Sequence, residues 1–231
     1  MTLHRDIWLS RILGYDAFKV NACEIFKDGF KNNFTEQTFV FTKIATAEIE
    51  VIHSLENAGF RLADTNVIFE KKVVKSGSFK SDTVIRFAQN GDESDVVDIA
   101  HSSFHFDRFH TDPAFKKEIA DAIKAEWVHN FFKGERGEAM IVAEADSKIA
   151  GFLQMLKKDD RTWIIDLIGV SEQYRRRGIA QAMVRFSEEF LKACETLIVG
   201  TQIANIPSMR LYENMGFRVM SAEYVFHFHH K

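Results

Sequence analysis

The chain has 231 residues, 46% hydrophobic and 27% charged, with a net charge of −3 and a pI near 6.3. Such a length holds one large domain or two small ones; the composition is that of a globular protein, and the charge balance excludes nucleic-acid binding driven by bulk charge. No apolar run reaches transmembrane length and MTLHRDIWLS lacks a signal-peptide core, so a cytoplasmic protein with no membrane partner is expected, and Cys23 and Cys194, far apart and in no ligand pattern, read as reduced thiols.

From Trp8 to Phe34 short apolar clusters (Leu9, Ile12, Leu13, Phe18, Val20) suggest brief strands or helices. Phe39-Val40-Phe41 reads as a strand. Ala45 to Ala58 reads as a helix whose apolar side is Ile49, Ile52 and Leu55, ended by Gly59. Leu62 to Val74 alternates through Val67, Phe69 and Val73, as a strand does. Lys75 to Ser78 is a polar linker. Thr83 to Phe87 opens a second unit as a strand, and Asp92 to Asp95 starts a helix continued by Val96, Val97, Ile99, Ala100 and Phe104. Phe104 to Pro113 is a loop dense in aromatic and ionisable groups. Phe115 to Phe132 is a helix carrying Ile119, Ile123, Trp127 and Phe131. Ala139–Ala145, Lys148–Met155 and Trp163–Val170 are three consecutive strands.

The stretch after Val170 carries the chemistry. Arg175-Arg176-Arg177-Gly178 feeds a helix marked by Ile179, Met183, Phe186 and Phe190. A loop entering a helix offers free backbone N–H groups and the positive end of the helix dipole, which suits an anion. Glycine lets a phosphate approach the main chain, and guanidinium groups add bidentate donors. Leu197 to Thr201 is a short strand, Pro207 and Ser208 suit a helix start, Gly216 suits its stop, and Arg218 to His229 forms the last strand.

Arg175 to Ala180 resembles the R-x-x-G-x-G/A pyrophosphate loop of the GNAT superfamily of N-acetyltransferases, with Ala180 at a position where Gly is common. Asn205 to Phe217 is similar to that family's second motif, N-xx-S-xx-LYE-xx-GF. The resemblance covers residues 83–231 and implies an α/β (α+β) GNAT fold, a mixed twisted central sheet flanked by helices. It implies acetyl-CoA as co-substrate and no metal. Arg175, Arg176, Arg177, Gly178, Ile179 and Ala180 would hold the pyrophosphate. The backbone of Ile168, Gly169 and Val170 would pair with the pantetheine arm, and Asn205 would touch the cofactor or cap its helix.

Tyr212 matches the family's general acid toward the departing thiolate. Since a phenol has a pKa of ~10 and a thiol ~8.5, direct transfer is uphill by roughly 2 kcal/mol unless the phenol pKa is lowered or transfer accompanies bond breaking. Strict alternation along the strand puts Asp166 on the face of Ile168 and Val170, toward the acceptor, as a candidate general base. Glu126, His129, His105 and His110 are lesser candidates. The histidines of the terminal strand, 227, 229 and 230, are expected to face solvent.

A repeat runs through the chain. Leu55 to Leu62 echoes Tyr212 to Val219, and Thr42 to Thr46 echoes Thr201 to Asn205 with a two-residue difference in spacing. Residues 1–75 therefore read as a truncated copy of the C-terminal half, and 83–231 as the catalytic domain. The copy has no R-x-x-G loop and Leu55 replaces Tyr212, so it is expected to pack and shape.

The layout resembles a narrower family, the TDP-fucosamine (TDP-4-amino-4,6-dideoxygalactose) N-acetyltransferases, through its degenerate first half, the loop holding Arg108, Phe109, His110 and Asp112, and the helix holding Trp127 and Asn130. That resemblance implies a nucleotide-amino-sugar acceptor, with Arg108 meeting a diphosphate and His110, Trp127 and Asn130 lining the site, and allows a homodimer. A small amine, a peptide N-terminus and a silent acetyl-CoA-binding module are the competing readings.

Overall fold

A computed structural model describes residues 3–21, 30, 34–75 and 77–231; Cys23 lies outside them. In chain order the elements are β1 (Leu3–Arg5), α1 (Ile7–Leu13), β2 (Asp16–Val20), β3 (Thr38–Ala45), α2 (Ile49–Asn57), β4 (Arg61–Lys72), β5 (Val84–Phe87), α3 (Glu93–Ser103), α4 (Arg108–Thr111), α5 (Lys117–Phe132), β6 (Ala139–Ala145), β7 (Lys148–Lys157), β8 (Thr162–Val170), α6 (Ile179–Phe190), β9 (Thr196–Gln202), α7 (Ile206–Asn214) and β10 (Arg218–His230). The expected elements are present among the described residues, except that the helix expected over Ala45–Ala58 begins only at Ile49, since Ala45 ends β3, and that residues 22–29 and 31–33 of the Trp8–Phe34 reading lie outside those residues. One addition is α4, a single turn inside the aromatic loop, capped by the Asp107 carboxylate accepting from the Phe109 amide at 3.1 Å.

The strands make one ten-stranded sheet in the order β1-β2-β3-β10-β4-β9-β8-β7-β6-β5. From β5 to β8 the neighbours are antiparallel, β6-β7 and β7-β8 as hairpins and β5-β6 joined through α3, α4 and α5. β8 and β9 are parallel, as a crossover through α6 requires. Beyond β9 the strands of the two halves alternate. β4 lies between β9 and β10, antiparallel to both, and β10 lies between β4 and β3. The expectation of two consecutive units gave no hint of this interleaving.

The interleaving is symmetric. Ile49 follows Ala45 at the interval at which Ile206 follows Gln202, and Arg61 follows Asn57 as Arg218 follows Asn214. Glu223 pairs with Ala45 on one side, and Asn66 with Gln202 on the other. The two-residue slip seen between the Thr42 and Thr201 segments does not extend to the strand ends.

Alternation along β3 explains how the first half is held. Phe39 and Phe41 enter a core with Leu9, Leu13, Phe109, Phe115 and Ile123, contributed by α1, α4, α5 and the segment between them. Val40 and Ile44 enter another with Val51, Ile52, Leu55, Phe60, Phe226 and Phe228. β3 thus buries both faces, which suits a strand with a partner on each side and a helical layer above and below. The terminal strand is drawn into the same sandwich. His227 is 1% exposed, and Phe226 and Phe228 are buried. The expectation of solvent-facing histidines is therefore corrected for His227: a strand with neighbours on both edges and helices on both faces leaves it no outward side.

Candidate functional site

β8 and β9 pair only from Thr162↔Thr196 to Ile165↔Val199. Beyond that point they part. The parting coincides with a bulge: Met155 of β7 faces Ile165 and Gln154 faces Leu167, so Asp166 is the extra residue. A bulge bends its strand and shifts the side-chain alternation. Before it, Trp163 and Ile165 point into the core beneath α6 and α7; after it, Ile168 and Val170 pack there and Leu167 joins the opposite core with α3 and α5. Asp166 consequently does not share a face with Ile168 and Val170, which corrects the expectation from strict alternation. From Asp166 to Val170 the β9-facing edge of β8 has no strand partner among the described residues.

Asp166 turns toward α5 and its lone pairs are taken. One oxygen accepts from Arg136 Nη2 at 2.7 Å; the other accepts from Arg136 Nε at 2.8 Å, Trp127 Nε1 at 3.0 Å and Gln154 Nε2 at 3.2 Å. A base needs a free lone pair aimed at the substrate proton. This bidentate clamp makes Asp166 an anchor, so its expected role as base loses its geometric support. Two of the lesser candidates are also engaged: Glu126 accepts from Arg11 and Lys133, each at 3.2 Å, and His129 pairs with Glu93, while His105 meets the His110 ring edge-on at 6.2 Å.

At the mouth of the parting, residues 175–178 are exposed. Arg175 turns back to donate from Nε to the Val170 carbonyl at 3.1 Å, and Arg177 donates to the Gln173 carbonyl at 3.2 Å. Gly178 is the N-cap of α6 with φ 76° and no side-chain cap. A Cβ there would meet nothing within 4 Å, so the space above the main chain is open. The first helical bond is from the Ala182 amide to the Gly178 carbonyl at 2.9 Å, leaving the amides ahead of it without helical acceptors. An open cradle of uncapped amides beside three arginines fits a pyrophosphate. Across the parting, Asn205 caps α7, its Oδ1 accepting from the Ser208 amide at 3.2 Å, so its Nδ2 donors remain for another partner.

Tyr212, on α7, is 2% exposed and packs with Phe69 and Phe217, ring centroids 6.0 and 5.5 Å away. It shares a core with Ile165 and Val199, the last paired residues of β8 and β9, and with Ile168 and Val170 at its border. Burial raises the phenol pKa, so this site does not lower it in the free protein. A thiolate buried beside it would have its own basicity raised by the same desolvation, so the relevant quantity is the difference between the two.

The acceptor candidates separate sharply. His110 uses both ring nitrogens, Nδ1 to Asp107 at 2.6 Å and Nε2 to Asp121 at 3.0 Å. Burial opposes its charge, but those two carboxylates raise its pKa overall. Asn130 is 6% exposed, its main-chain carbonyl receiving the Glu135 and Arg136 amides at 2.8 and 3.1 Å. Trp127 is half-buried, flanked by Arg136 at 4.5 Å and Lys124 at 4.8 Å. His110 is thus framework, correcting its expected place as a lining residue, because both ring nitrogens are committed; the Asn130 side chain is enclosed, its Oδ1 buried with no hydrogen-bond partner among the described residues.

Arg108 differs. Its guanidinium lies over Phe41 at 4.0 Å and Phe109 at 4.4 Å. Among the described residues no carboxylate pairs with it. Asp107 is taken by His110 and Lys124, and Asp112 by His227 and His229. Its contact is with His227 Nε2 at 3.5 Å. Burial holds His227 near pKa 4, hence neutral, and its Nδ1 lies 2.6 Å from Asp112. That hydrogen bond fixes the tautomer and turns the Nε2 lone pair toward Arg108. Burial lowers Arg108 itself to about 10, leaving it cationic at pH 7. Asp112, His227 and His229 bring three potential metal-ligand atoms within 4.8 Å of one another, an arrangement the direct hydrogen bonds of 2.6 and 2.8 Å already explain. An apolar depression of about 490 Å³, lined by Phe87, Phe131, Met140, Trp163 and Phe190, sits at the opposite end of β8 and touches none of these groups.

Arg136, Lys124 and Gln154 were missed in the sequence. One signal was available for Lys124: Asp121 and Lys124 recur at helical spacing with Ala120, Ile123 and Val128 on the buried stripe of α5, and a buried charge on a helix marks a partner across the interface.

An α6 whose N-terminus opens onto a parting between two parallel strands, with a buried tyrosine beside it, defines a nucleotide-thioester acyltransferase scaffold. The model of the acetyltransferase (GNAT) family matches residues 99–217, more than half of the chain, and this protein belongs to that family. It is an N-acetyltransferase that draws its acetyl group from acetyl-CoA. The spore coat polysaccharide biosynthesis protein SpsD of Bacillus subtilis is 27% identical over 97% of this chain and 82% of its own length. Human N-acetyltransferase 8 is 33% identical over 38% of this chain; the match spans 41% of that relative. A protein of unknown function from Staphylococcus epidermidis shares the fold with a TM-score of 0.64 at 16% identity, covering 92% of this chain and 83% of its own. Among the described residues no helix is long and apolar enough to cross a membrane.

Proposed function

We propose that the chain acetylates the amino group of a nucleotide-linked amino sugar. The observation that carries this is Arg108, a desolvated cation on an aromatic shelf that Asp107, Asp6 and Asp64 favour from a distance but with which no carboxylate among the described residues makes a direct ion pair. A guanidinium so presented suits a diphosphate, and the flat rings around it suit a base or sugar face. SpsD, a relative that matches nearly the whole chain, is named for polysaccharide biosynthesis, which supports a sugar-related acceptor here.

On this reading residues 175–180 grip the pyrophosphate of acetyl-CoA, the free edge of Ile168 to Val170 takes the pantetheine arm, and Asn205 adds a donor. Acetyl-CoA supplies the activated acetyl group as a thioester. Tyr212 protonates the departing sulfur as the C–S bond breaks. Asp166 holds Arg136 and Trp127 in place. Residues 1–75 are a truncated copy of the C-terminal half, supported by the matching intervals of β3–α2–β4 and β9–α7–β10, and residues 83–231 are the catalytic domain that holds the acetyl-CoA site and Tyr212.

The test is CoA release from acetyl-CoA with a panel: TDP-4-amino-4,6-dideoxygalactose, a UDP-linked amino sugar, spermidine and a short peptide. A nucleotide-sugar is expected to be turned over with the highest kcat/KM. Arg108→Met, which keeps the bulk and loses the charge, is expected to raise KM for that substrate by about tenfold or more, since a charge-assisted bond is worth about 1.5–3 kcal/mol. KM for acetyl-CoA should stay unchanged. Preference for spermidine or the peptide over both sugars defeats the reading.

A further inference from the structure

We propose that Asp64, on the strand β4 contributed by the first half of the chain, is the proton acceptor for the incoming amine. The inference rests on the acetyl-transfer chemistry of the family and is independent of whether the amine sits on a sugar.

The placement carries it. β4 pairs with β9 only as far as Asn66↔Gln202, so Asp64 lies just beyond the end of β9, where β8 and β9 are already apart. The Gln202 side chain reaches toward its carboxylate and favours the charged form. From the other side, Thr111 of α4 donates to the Ala63 carbonyl at 2.9 Å, tying Arg108's own helix to this point of β4. Asp64 therefore stands between the open edge that receives the thioester and the guanidinium proposed to hold the acceptor. Its Oδ1 accepts from the Thr65 amide at 2.7 Å. With the Gln202 side chain as its second hydrogen-bond partner, the carboxylate uses two of its roughly four acceptor positions and keeps the others for a ligand, in contrast to the fourfold clamp on Asp166.

The electrostatic setting suits the task. Asp107 and Arg108 face Asp64 from the α4 segment, and Lys43 of β3 faces it across β10, where Glu223 lies 3.9 Å from Lys43. Burial raises the Asp64 carboxyl to about 6, with Asp107 adding to the rise and the Thr65 amide, Lys43 and Gln202 opposing it. A base is most effective with a pKa near the working pH. The balance is complete without another reactant. Asp64 takes one proton from the substrate ammonium, and the freed lone pair forms the C–N bond at the thioester carbonyl. The C–S bond then breaks, its electron pair leaving with sulfur as Tyr212 protonates it; of the two protons left on nitrogen one stays in the amide and the other returns to the Tyr212 oxygen. Asp64 releases its proton to solvent.

The first half of the chain, on this account, supplies more than packing. The experiment replaces Asp64→Asn, which keeps shape and loses basicity, and measures kcat/KM from pH 5 to 9 with TDP-4-amino-4,6-dideoxygalactose and with spermidine, alongside a carboxyl-carbon NMR titration of the unreplaced chain. The unreplaced chain should show a limb rising with pH and levelling above about 6, matched by the NMR titration of Asp64. Asp64→Asn should lose that limb and fall about 100-fold or more with whichever amine is acetylated, and Asp64→Glu should restore part of the rate with the limb shifted. An unchanged limb in Asp64→Asn, or equal rates in the two proteins, overturns the proposal. Acetylation of spermidine alone, with the limb lost in the variant, overturns the sugar reading and leaves Asp64 standing.

Discussion

Replacing Tyr212 by Phe is expected to lower kcat by about 100-fold or more while leaving the affinity for acetyl-CoA unchanged. A positioned general acid contributes typically 10²–10⁴-fold. The ring is buried between Phe69 and Phe217, so Phe fills the same space and the core does not change. The hydroxyl is the only group lost. Because burial raises the phenol pKa, transfer to a preformed thiolate would be slow unless sulfur is equally desolvated, and a proton moving as the C–S bond breaks avoids the uphill step. Steady-state CoA release paired with a binding isotherm decides the matter. A variant with the parent's kcat would remove Tyr212 from the reaction.

The second large effect is expected at Gly178. Gly178→Val places a β-branched residue at φ 76°, in a region such residues avoid at a cost of order 1–3 kcal/mol. It also fills space that is empty above the main chain. KM for acetyl-CoA should rise about tenfold or more, each 1.4 kcal/mol of lost binding being tenfold, whereas KM for the amine should hold. A variant whose acetyl-CoA KM equals the parent's would show that no ligand approaches that backbone.

Much of this architecture was legible in the sequence because its signals are local. Trp163 to Val170 reads as a strand, the 175–180 turn as a helix entrance, and Ile179, Met183 and Phe186 as the buried stripe of α6. Each depends only on neighbours within a few residues, and each is present as read. What escaped was non-local. The bulge at Asp166 depends on the pairing of β7 with β8, and one extra residue reversed which side chains share a face. The interleaving of β4 between β9 and β10 depends on contacts far apart in sequence; a repeat seen at Leu55 and Tyr212 reveals likeness but not how two copies pair. The same blindness hid Asp64. Alone in Leu62 to Val74 it is an ordinary polar residue of an alternating strand, and it gains meaning only beside Gln202 and Arg108. His227 was misjudged for a related reason, since alternation at a chain end looks like an exposed edge until β3 covers it.

The account depends on the α6 entrance gripping the diphosphate end of its donor. Calorimetric titration of the protein with acetyl-CoA and, separately, with S-acetylpantetheine, which carries the same thioester without the nucleotide and its phosphates, tests this directly. Acetyl-CoA is expected to bind at least about 100-fold more tightly, a difference of about 2.8 kcal/mol that several charge-assisted bonds readily supply. Equal affinities for the two thioesters would contradict it.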